Sequence, residues 1–398
     1  MPLPYRFNRL ELAGSLGDLG TLLPLALGMM LINGLDPAGV FFSIGAFYVF
    51  SGAYYRVTSP VQPMKVIAAY AIAAGLSPEQ IAASALLMAL FLLVVGLSGA
   101  IGFIGRHTPL PVIRGVQVST GILLLAQGVR LVAGTSQFQV LRGAAEPFLT
   151  VQSLGPLPLG LVIGVVAGVV TLVFLENDKL PAGLLVVLGG VILGLLLGDH
   201  RGLAGLRPGL HLPPWLPYLP GRADLGLALV MLVLPQVPMT VGNAVIANAD
   251  LSRQYFGEDS SRVTYRALCL SMALANGLSF LVGGIPLCHG AGGLAAHYRF
   301  GARSAGSNLM IGAVFLILAL AWGSSALALV SLLPMSILGV LLIFAGSQLA
   351  LTIGDQKERK DLFVVLMMLG ITLASNLAVG FIVGLALAYA LKWRALSI

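Results

Sequence analysis

Two short apolar segments of this chain are broken by proline and carry polar residues where a membrane-spanning helix has none. The first begins at residues 60–65 (PVQPMK), and the second begins at residues 286–293 (PLCHGAGG). A half-helix that begins inside a bilayer presents N–H groups without partners and the positive end of its dipole, and both attract an anion. The two segments therefore predict an anion site between facing helix N-termini, as in transporters built from two inverted repeats.

The positive charges expected at the two breaks indicate which class of ligand binds between them. Each helix N-terminus acts like about half a positive charge, and Lys65 follows the first break directly. Together they approximately neutralise a divalent oxyanion, whereas a neutral solute would gain no stabilisation from this positive charge. Gly290, Gly292 and Gly293 let the backbone approach a ligand closely and offer N–H donors. Close packing between helices is the alternative explanation of these glycines.

Two groups of residues are candidates for contact with the anion. We expect the walls of the site to come from the two breaks, at Gln62, Met64, Lys65, Cys288, His289 and Gly290. Polar residues of neighbouring apolar segments could donate to the anion, namely Thr21, Gln236 and Asn243. Hydrogen bonding between helices accounts equally well for any one of these three.

Asp18, like Lys65, is a charged residue that we expect to lie within the membrane. An ionised Asp18 near a dianion repels it, and protonation removes that penalty. We therefore expect Asp18 to carry a coupling proton while Lys65 attracts the anion. A structural ion pair between Asp18 and Lys65 is the alternative, since unpaired charges at this depth are costly.

The adjacent Cys288 and His289 invite an enzymatic interpretation, which geometry excludes. Neighbouring side chains on a helix point about 100° apart, whereas a thiolate and its base must lie within hydrogen-bond reach. The sequence contains no metalloprotease or phosphate-loop motif, and its two cysteines have no metal-ligand spacing. We expect no enzyme activity, no cofactor and no metal.

The composition is that of a polytopic membrane protein. Hydrophobic residues make up 58% of the 398 residues and charged residues only 9%, whereas soluble proteins carry about a quarter charged residues. The net charge of +7 comes from basic residues scattered at segment ends, which are typical of topology signals and not of a nucleic-acid surface. Their bias predicts both termini in the cytoplasm, in a plasma or inner membrane, with the first helix retained.

Fourteen apolar segments predict an all-α protein. They cover approximately 12–33, 38–56, 60–75, 80–105, 110–131, 157–176, 180–198, 223–250, 262–283, 286–298, 304–322, 326–351, 361–377 and 379–394. Similar proline and glycine patterns recur at similar offsets, so we predict two repeats at 1–200 and 223–398, joined by an external linker at 201–222. Seven segments per repeat force the second copy to enter the membrane from the opposite side. The third and tenth segments are the broken half-helices.

Longer motifs around the breaks resemble a known family. The stretches 60–69 (PVQPMKVIAA), 286–295 (PLCHGAGGLA) and 297–303 (HYRFGAR) are similar to signatures of molybdate transporters related to the sulfate permeases. Residues 17–21 (GDLGT), 235–238 (PQVP) and 242–245 (GNAV) are also similar to that family. The resemblance spans nearly the whole chain.

The resemblance implies a carrier of molybdate, and of tungstate or sulfate, with a core domain, a gate domain and a homodimeric assembly. It places segments 1, 3, 8 and 10 in the core and segments 5–7 and 12–14 in the gate. Sulfate permeases usually carry a soluble C-terminal domain, whereas this chain stops at Ile398. That ending agrees with the molybdate branch.

We therefore expect a secondary active transporter that imports a tetrahedral oxyanion, molybdate first, by alternating access and coupled to protons. A sulfate transporter of the same fold is the first alternative. A passive anion channel is the second, although the ring of charges expected along a pore is not visible. A nucleobase permease is the third, and Asp250 lies too near the end of its segment to serve as its carboxylate. The expected partners are the oxyanion, membrane lipid and a second copy of the chain, with no nucleic acid.

Overall fold

The protein is described by a computed structural model. The described residues are 5–107, 109–175, 177, 182–199, 203, 206 and 208–392. The two chain ends, and residues 201, 202, 204, 205 and 207 of the predicted linker 201–222, lie outside them. The predicted boundary between the first repeat and the linker also lies there.

The chain is mostly helical. The first half contains α1 (Arg9–Leu16), α2 (Leu19–Leu31), α3 (Pro37–Tyr55), α4 (Lys65–Ala74), α5 (Pro78–Ser98), α6 (Ile101–His107), α7 (Leu110–Val132), α8 (Gln137–Arg142), α9 (Leu159–Phe174) and α10 (Ala182–Leu197). The second half contains α11 (Arg222–Leu227), α12 (Leu234–Met239), α13 (Asn248–Phe256), α14 (Tyr265–Val282), α15 (Ala291–Arg299), α16 (Gly306–Trp322), α17 (Leu327–Val330), α18 (Met335–Ala350), α19 (Arg359–Ala374) and α20 (Leu377–Ala390).

Irregular helical turns and very short strands complete the chain. Two π-helical stretches, Ala228–Val233 and Thr240–Ala247, join α11, α12 and α13 into one long helix. Tight 3₁₀ turns occupy Gly257–Ser260, Gly323–Ala326 and Leu351–Asp355. The strands are β1 (Gln62–Pro63), β2 (Ser153–Leu154), β3 (Leu157–Pro158) and β4 (Leu287–Cys288), and they pair as β1 with β4 and β2 with β3.

The described helices identify an integral membrane protein. Seven are long and apolar enough to cross a bilayer, or eight if the bent pair formed by α1 and α2 counts as one span. Four shorter apolar helices, α4, α9, α10 and α20, accompany them. Length and apolarity therefore identify fewer full spans than the fourteen segments predicted, because several of those segments hold helices shorter than a bilayer requires.

Helix pairs from opposite halves form the most extensive contacts, between α7 and α18, between α3 and α16, and between α5 and α14. Glycine permits the first of these. A Cβ atom at Gly121 would lie 2.5 Å from the carbonyl oxygen of Gly346, and one at Gly128 would lie 2.5 Å from that of Gly339. Backbones that touch in this way are typical of membrane helices that pack through small residues.

Proline explains why the third and tenth segments break. Proline lacks an N–H group, and it pushes the preceding residue into extended conformation. Pro60 and Pro63 keep the chain extended until α4 begins at Lys65, and Pro286 does the same before β4. The two extended pieces pair antiparallel, with Gln62 opposite Cys288.

Candidate functional site

The β1–β4 ribbon brings the two breaks together at the start of two half-helices. Besides the paired strands, the backbone N–H of Met64 donates to the carbonyl of Pro286 at 2.8 Å. Because the strands are antiparallel, α4 and α15 leave the ribbon in opposite directions, each with its N-terminus at the ribbon. The sequence prediction that the two breaks meet is therefore realised in the geometry.

Two asparagines that sequence reasoning missed hold the extended segments in place. Asn276 on α14 donates to the carbonyl of Leu287 at 2.8 Å and accepts from its N–H at 3.1 Å. Asn308 on α16 donates to the carbonyl of Ser59 at 2.6 Å and accepts from its N–H at 3.0 Å. Each amide therefore replaces a strand partner. The available signal was a fully buried asparagine inside an apolar segment.

His289 lies behind the ribbon and supports it. Its Nδ1 donates to the carbonyl of Pro60 at 2.8 Å, and its Nε2 lies 3.0 Å from the hydroxyl of Ser271. The ring packs 4.6 Å from that of Phe47 and is fully buried. Because both ring nitrogens already have protein partners, His289 positions the ribbon and does not face an anion.

Two further predicted wall residues lie in the protein interior. Met64 is fully buried, and its contribution at the break is the backbone hydrogen bond that extends the ribbon. The Cys288 thiol is buried and lies 3.9 Å from the carbonyl of Pro63. Gln62, opposite Cys288 in the ribbon, is equally buried, so burial does not separate these two side chains from the polar centre of the site.

Gln62 and Asp18 form the buried polar centre of the site. The Gln62 amide Nε2 donates to Asp18 Oδ1 at 2.5 Å. In the part of the chain that the structure describes, Gln62 Oε1 and Asp18 Oδ2 are buried without a hydrogen-bond partner. Among these residues, Asp18 and Lys65 are not in direct ion-pair contact, although the two charges interact across the site.

Glycines on α15 make room for that polar centre. A Cβ atom at Gly290 would lie 1.9 Å from Gln62 Oε1, and a Cβ atom at Gly293 would lie 2.5 Å from Asp18 Oδ2. Real Cβ atoms do not approach other atoms so closely, and the neighbours would have to move. These glycines therefore serve the contact with Gln62 and Asp18 in addition to exposing backbone.

Free hydrogen-bond donors converge at the N-terminus of α15. Within the described residues, the backbone N–H groups of Ala291, Gly292 and Gly293 have no acceptor. The half-buried Lys65 extends its ammonium group towards them, with Nζ 3.9 Å from the position of a Cβ at Gly292. The described ion pairs leave Lys65 unpaired. A helix terminus and a lysine together form a positive site of the kind that oxyanions occupy.

The N-terminus of α4 is occupied differently. Gln236 Oε1 accepts from the N–H groups of Val66 and Ile67 at 3.0 and 3.3 Å, and its Nε2 donates to Thr240 at 2.9 Å. Gln236 is therefore a cap for α4 and not a free donor. The site is asymmetric among the described residues, because α15 offers three open N–H groups whereas Gln236 occupies two of those of α4, which contributes the Lys65 side chain.

Asn243 and Thr21 complete the predicted set. The Asn243 amide nitrogen lies 3.6 Å from the position of a Cβ at Gly290, so this half-buried side chain borders the site. Thr21 is half-buried in the first turn of α2, where its N–H donates to the carbonyl of Asp18 at 3.0 Å. Among the described residues, no hydrogen bond joins the Thr21 side chain to the rest of the site.

Known proteins with related sequences identify the family. A family model described as a molybdate transporter of the MFS superfamily matches residues 10–124 and 228–349. Molybdate transporter 2 of Arabidopsis thaliana is 32% identical over 428 residues, covering 97% of this chain and 88% of that protein. The chain belongs to this molybdate transporter family. Its members are transporters and not enzymes, and the matched ranges contain every site residue described above.

Solved structures place the family in a known fold. The transmembrane domain of the cyanobacterial bicarbonate transporter BicA has a TM-score of 0.65 at 16% identity, covering 96% of this chain and 98% of that chain. Murine Slc26a9, an anion transporter solved in the inward-facing state, has a TM-score of 0.68 at 16% identity, covering 98% of this chain and 69% of that chain. Identities this low establish the fold alone.

Proposed function

We propose that this molybdate-family transporter imports a tetrahedral oxyanion, molybdate first, by secondary active alternating access. The observation that carries the proposal is the convergence of the Lys65 ammonium and the open N–H groups of α15 at Gly292. Each helix N-terminus contributes about half a positive charge, and the lysine contributes a full one. A dianion that accepts several hydrogen bonds is the ligand that this combination suits.

The assignment of molybdate as the substrate rests on sequence similarity to known transporters. The relatives named above are molybdate transporters, whereas the geometry supports any small oxyanion. Gln62, Lys65, Gly290 and Asn243 are the residues we propose to surround the anion. His289 and Gln236 are proposed to hold the ribbon and α4 in position, since their side chains are engaged, and Met64 to hold the ribbon through its backbone. Cys288, opposite Gln62 in the ribbon, is proposed to border the site.

We propose two seven-segment repeats of inverted topology, at 1–200 and 223–398. The pattern of helix contacts supports this arrangement, because exchanging each segment for its counterpart turns the α3–α16 contact into the α14–α5 contact. Segments 1, 3, 8 and 10 would belong to a core that moves against a gate of segments 5–7 and 12–14. Cytoplasmic termini, a plasma or inner membrane and a homodimer complete the proposal.

Calorimetric titration of the purified protein with molybdate, tungstate and sulfate tests the substrate. We expect molybdate and tungstate to bind tightly and sulfate to bind weakly. Equal sulfate affinity would leave the site in place and assign sulfate as the substrate. The absence of binding by all three anions would contradict the function. Uptake into proteoliposomes against a molybdate gradient separates a coupled transporter from a passive channel.

Proton coupling would act through Asp18 and Gln62. An ionised Asp18 adds a negative charge next to the anion site, and protonation removes that repulsion. The titratable groups facing Asp18 are Lys65 on α4, Tyr48 on α3 and Cys288 on β4. Because Gln62 bonds to Asp18 and also borders Gly290, its amide links the carboxyl group to the anion site.

The substitution Asp18→Asn is expected to abolish the pH dependence of oxyanion binding. In the wild type, binding should tighten as the pH falls, by up to about tenfold per pH unit for one linked proton, because the anion favours protonated Asp18 and linkage is reciprocal. The variant should bind with a nearly pH-independent Kd, measured by calorimetry across the neutral range. Asp361→Asn, in the first turn of α19 and outside the site described above, is the matched control. Unchanged pH dependence and unchanged concentrative uptake in Asp18→Asn would contradict this coupling role.

A further inference from the structure

A second polar cavity lies beside α4, away from the ribbon. Its volume is about 300 Å³, and it is half open, with walls formed by α4, α7 and the junction of α19 with α20. Its polar lining consists of Tyr70, Gln127, Arg130, Thr372, Ser375 and Asn376. This lining contains one cation and no carboxylate, so its field favours an anion.

This cavity is distinct from the site at Lys65. An α-helix rises 1.5 Å per residue. Tyr70 therefore lies about 8 Å along α4 from Lys65, and Ala74, which also lines the cavity, lies about 14 Å along it. The cavity therefore lies along the C-terminal part of α4, away from the ribbon.

Three of the lining side chains offer donors that the fold leaves unused. Gln127 is 7% exposed, yet its amide has no hydrogen bond within the described residues. In the same part of the chain, neither the half-buried Tyr70 hydroxyl nor the exposed Arg130 guanidinium forms a hydrogen bond, and Arg130 forms no ion pair. Because Gln127 lines the cavity, its amide is free to donate to a molecule bound there.

Two of the other polar groups of the cavity are already engaged. The Ser375 hydroxyl donates to the carbonyl of Ile371 at 2.9 Å, and Asn376 Oδ1 accepts from the N–H of Val379 at 3.0 Å as the cap of α20. Among the described residues, the buried hydroxyl of Thr372 has no partner. The unused groups therefore come from three helices: Tyr70 from α4, Gln127 and Arg130 from α7, and Thr372 from α19. A donor set of guanidinium, amide and hydroxyl matches the acceptor oxygens of an oxyanion.

We propose that this cavity is a second oxyanion site, in which Arg130 supplies the charge and Gln127 and Tyr70 supply neutral hydrogen bonds. The shared chemistry of its ligand is a tetrahedral oxyanion, either the transported anion in solution or the phosphate of a lipid headgroup. With α4 in the core and α7 in the gate, a point that rests on the proposed function, the site spans the interface that alternating access must open. We propose that an anion binds there before it moves to the site at Lys65.

The stoichiometry of tungstate binding tests this proposal. The full chain, purified in detergent and depleted of lipid, is titrated with tungstate by equilibrium dialysis. We expect two bound tungstates per chain in the wild type and one in either Arg130→Ala or Lys65→Ala. Gln127→Leu keeps the side-chain size and should weaken the second site roughly tenfold, the effect of losing one hydrogen bond. Arg142→Ala is the control, because Arg142 lies over the Phe138 ring and outside the cavity.

The outcomes separate this site from the proposed function. One tungstate in the wild type, lost only in Lys65→Ala, would overturn the second site and leave the function intact. Two tungstates that both survive Arg130→Ala would also overturn it. If nanodiscs containing anionic phospholipid lower the count from two to one, and native mass spectrometry shows a phospholipid that Arg130→Ala releases, the site stands with lipid phosphate as its ligand. If the wild type binds one tungstate that Arg130→Ala removes and Lys65→Ala does not, the second site stands and the proposed function is contradicted.

Discussion

Replacing Lys65 with alanine is expected to weaken molybdate binding by about 2–3 kcal/mol, or roughly 30- to 140-fold in Kd. The ammonium group lies beside Gly292 and the open N–H groups of α15, and no ion pair in the described part of the chain neutralises it. Its loss removes a charge-assisted hydrogen bond and leaves the dianion with only the helix terminus for compensation. Calorimetric titration of the purified variant measures the change directly.

Two further variants control this experiment. Lys357→Ala makes the same chemical change at an exposed turn before α19 and should alter Kd by no more than roughly 0.5 kcal/mol. Lys65→Arg keeps the positive charge at the site and should retain part of the affinity, although a guanidinium group has a different shape. If Lys65→Ala binds molybdate as well as Lys357→Ala does, the anion does not occupy the N-terminus of α15.

The breaks in the third and tenth segments could be predicted because proline acts locally. Pro60, Pro63 and Pro286 remove donors and force extended backbone wherever they occur. The helices that follow each break, and the membrane class of the chain, depend likewise on local sequence and composition. The number of full spans was harder to predict, because an apolar stretch does not reveal how much of it becomes helix.

The direction of each side chain at the breaks could not be predicted. Successive residues of a strand point to opposite faces, and the pairing of β1 with β4 decides which face becomes the site. That pairing joins residues from opposite halves of the chain. As a result the buried Gln62 amide contacts Asp18 and borders Gly290, whereas the His289 ring bonds to Pro60 and Ser271 behind the ribbon.

Gln236 illustrates a second limit of sequence reasoning. A polar residue in an apolar helix is equally compatible with ligand binding and with capping, and only its neighbours decide. Here the open N–H groups of α4 take the Gln236 carbonyl oxygen. The roles of Asn276 and Asn308 could not be predicted either, because their partners are backbone atoms of extended segments that are distant in sequence.

Gly290→Ala is the second substitution expected to have a large effect. The backbone of Gly290, with φ −88° and ψ 130°, suits alanine, so any effect comes from contact and not from strain. The added Cβ would lie 1.9 Å from Gln62 Oε1 and must displace this amide. Displacement breaks the hydrogen bond to Asp18 and leaves a buried carboxyl group without its donor, which costs about 1–3 kcal/mol.

We therefore expect Gly290→Ala to bind molybdate at least roughly tenfold more weakly and to melt at a lower temperature than the wild type. Gly277→Ala in α14 is the matched control, because a Cβ there meets no atom within 4 Å and alanine favours the helix. Gly292→Ala separates the two effects, since its Cβ would lie 3.9 Å from the Lys65 ammonium without a clash. That variant should keep its melting temperature and lose affinity, because the methyl group occupies the space in front of the open N–H groups. Wild-type affinity in both Gly290→Ala and Gly292→Ala would show that the anion binds elsewhere.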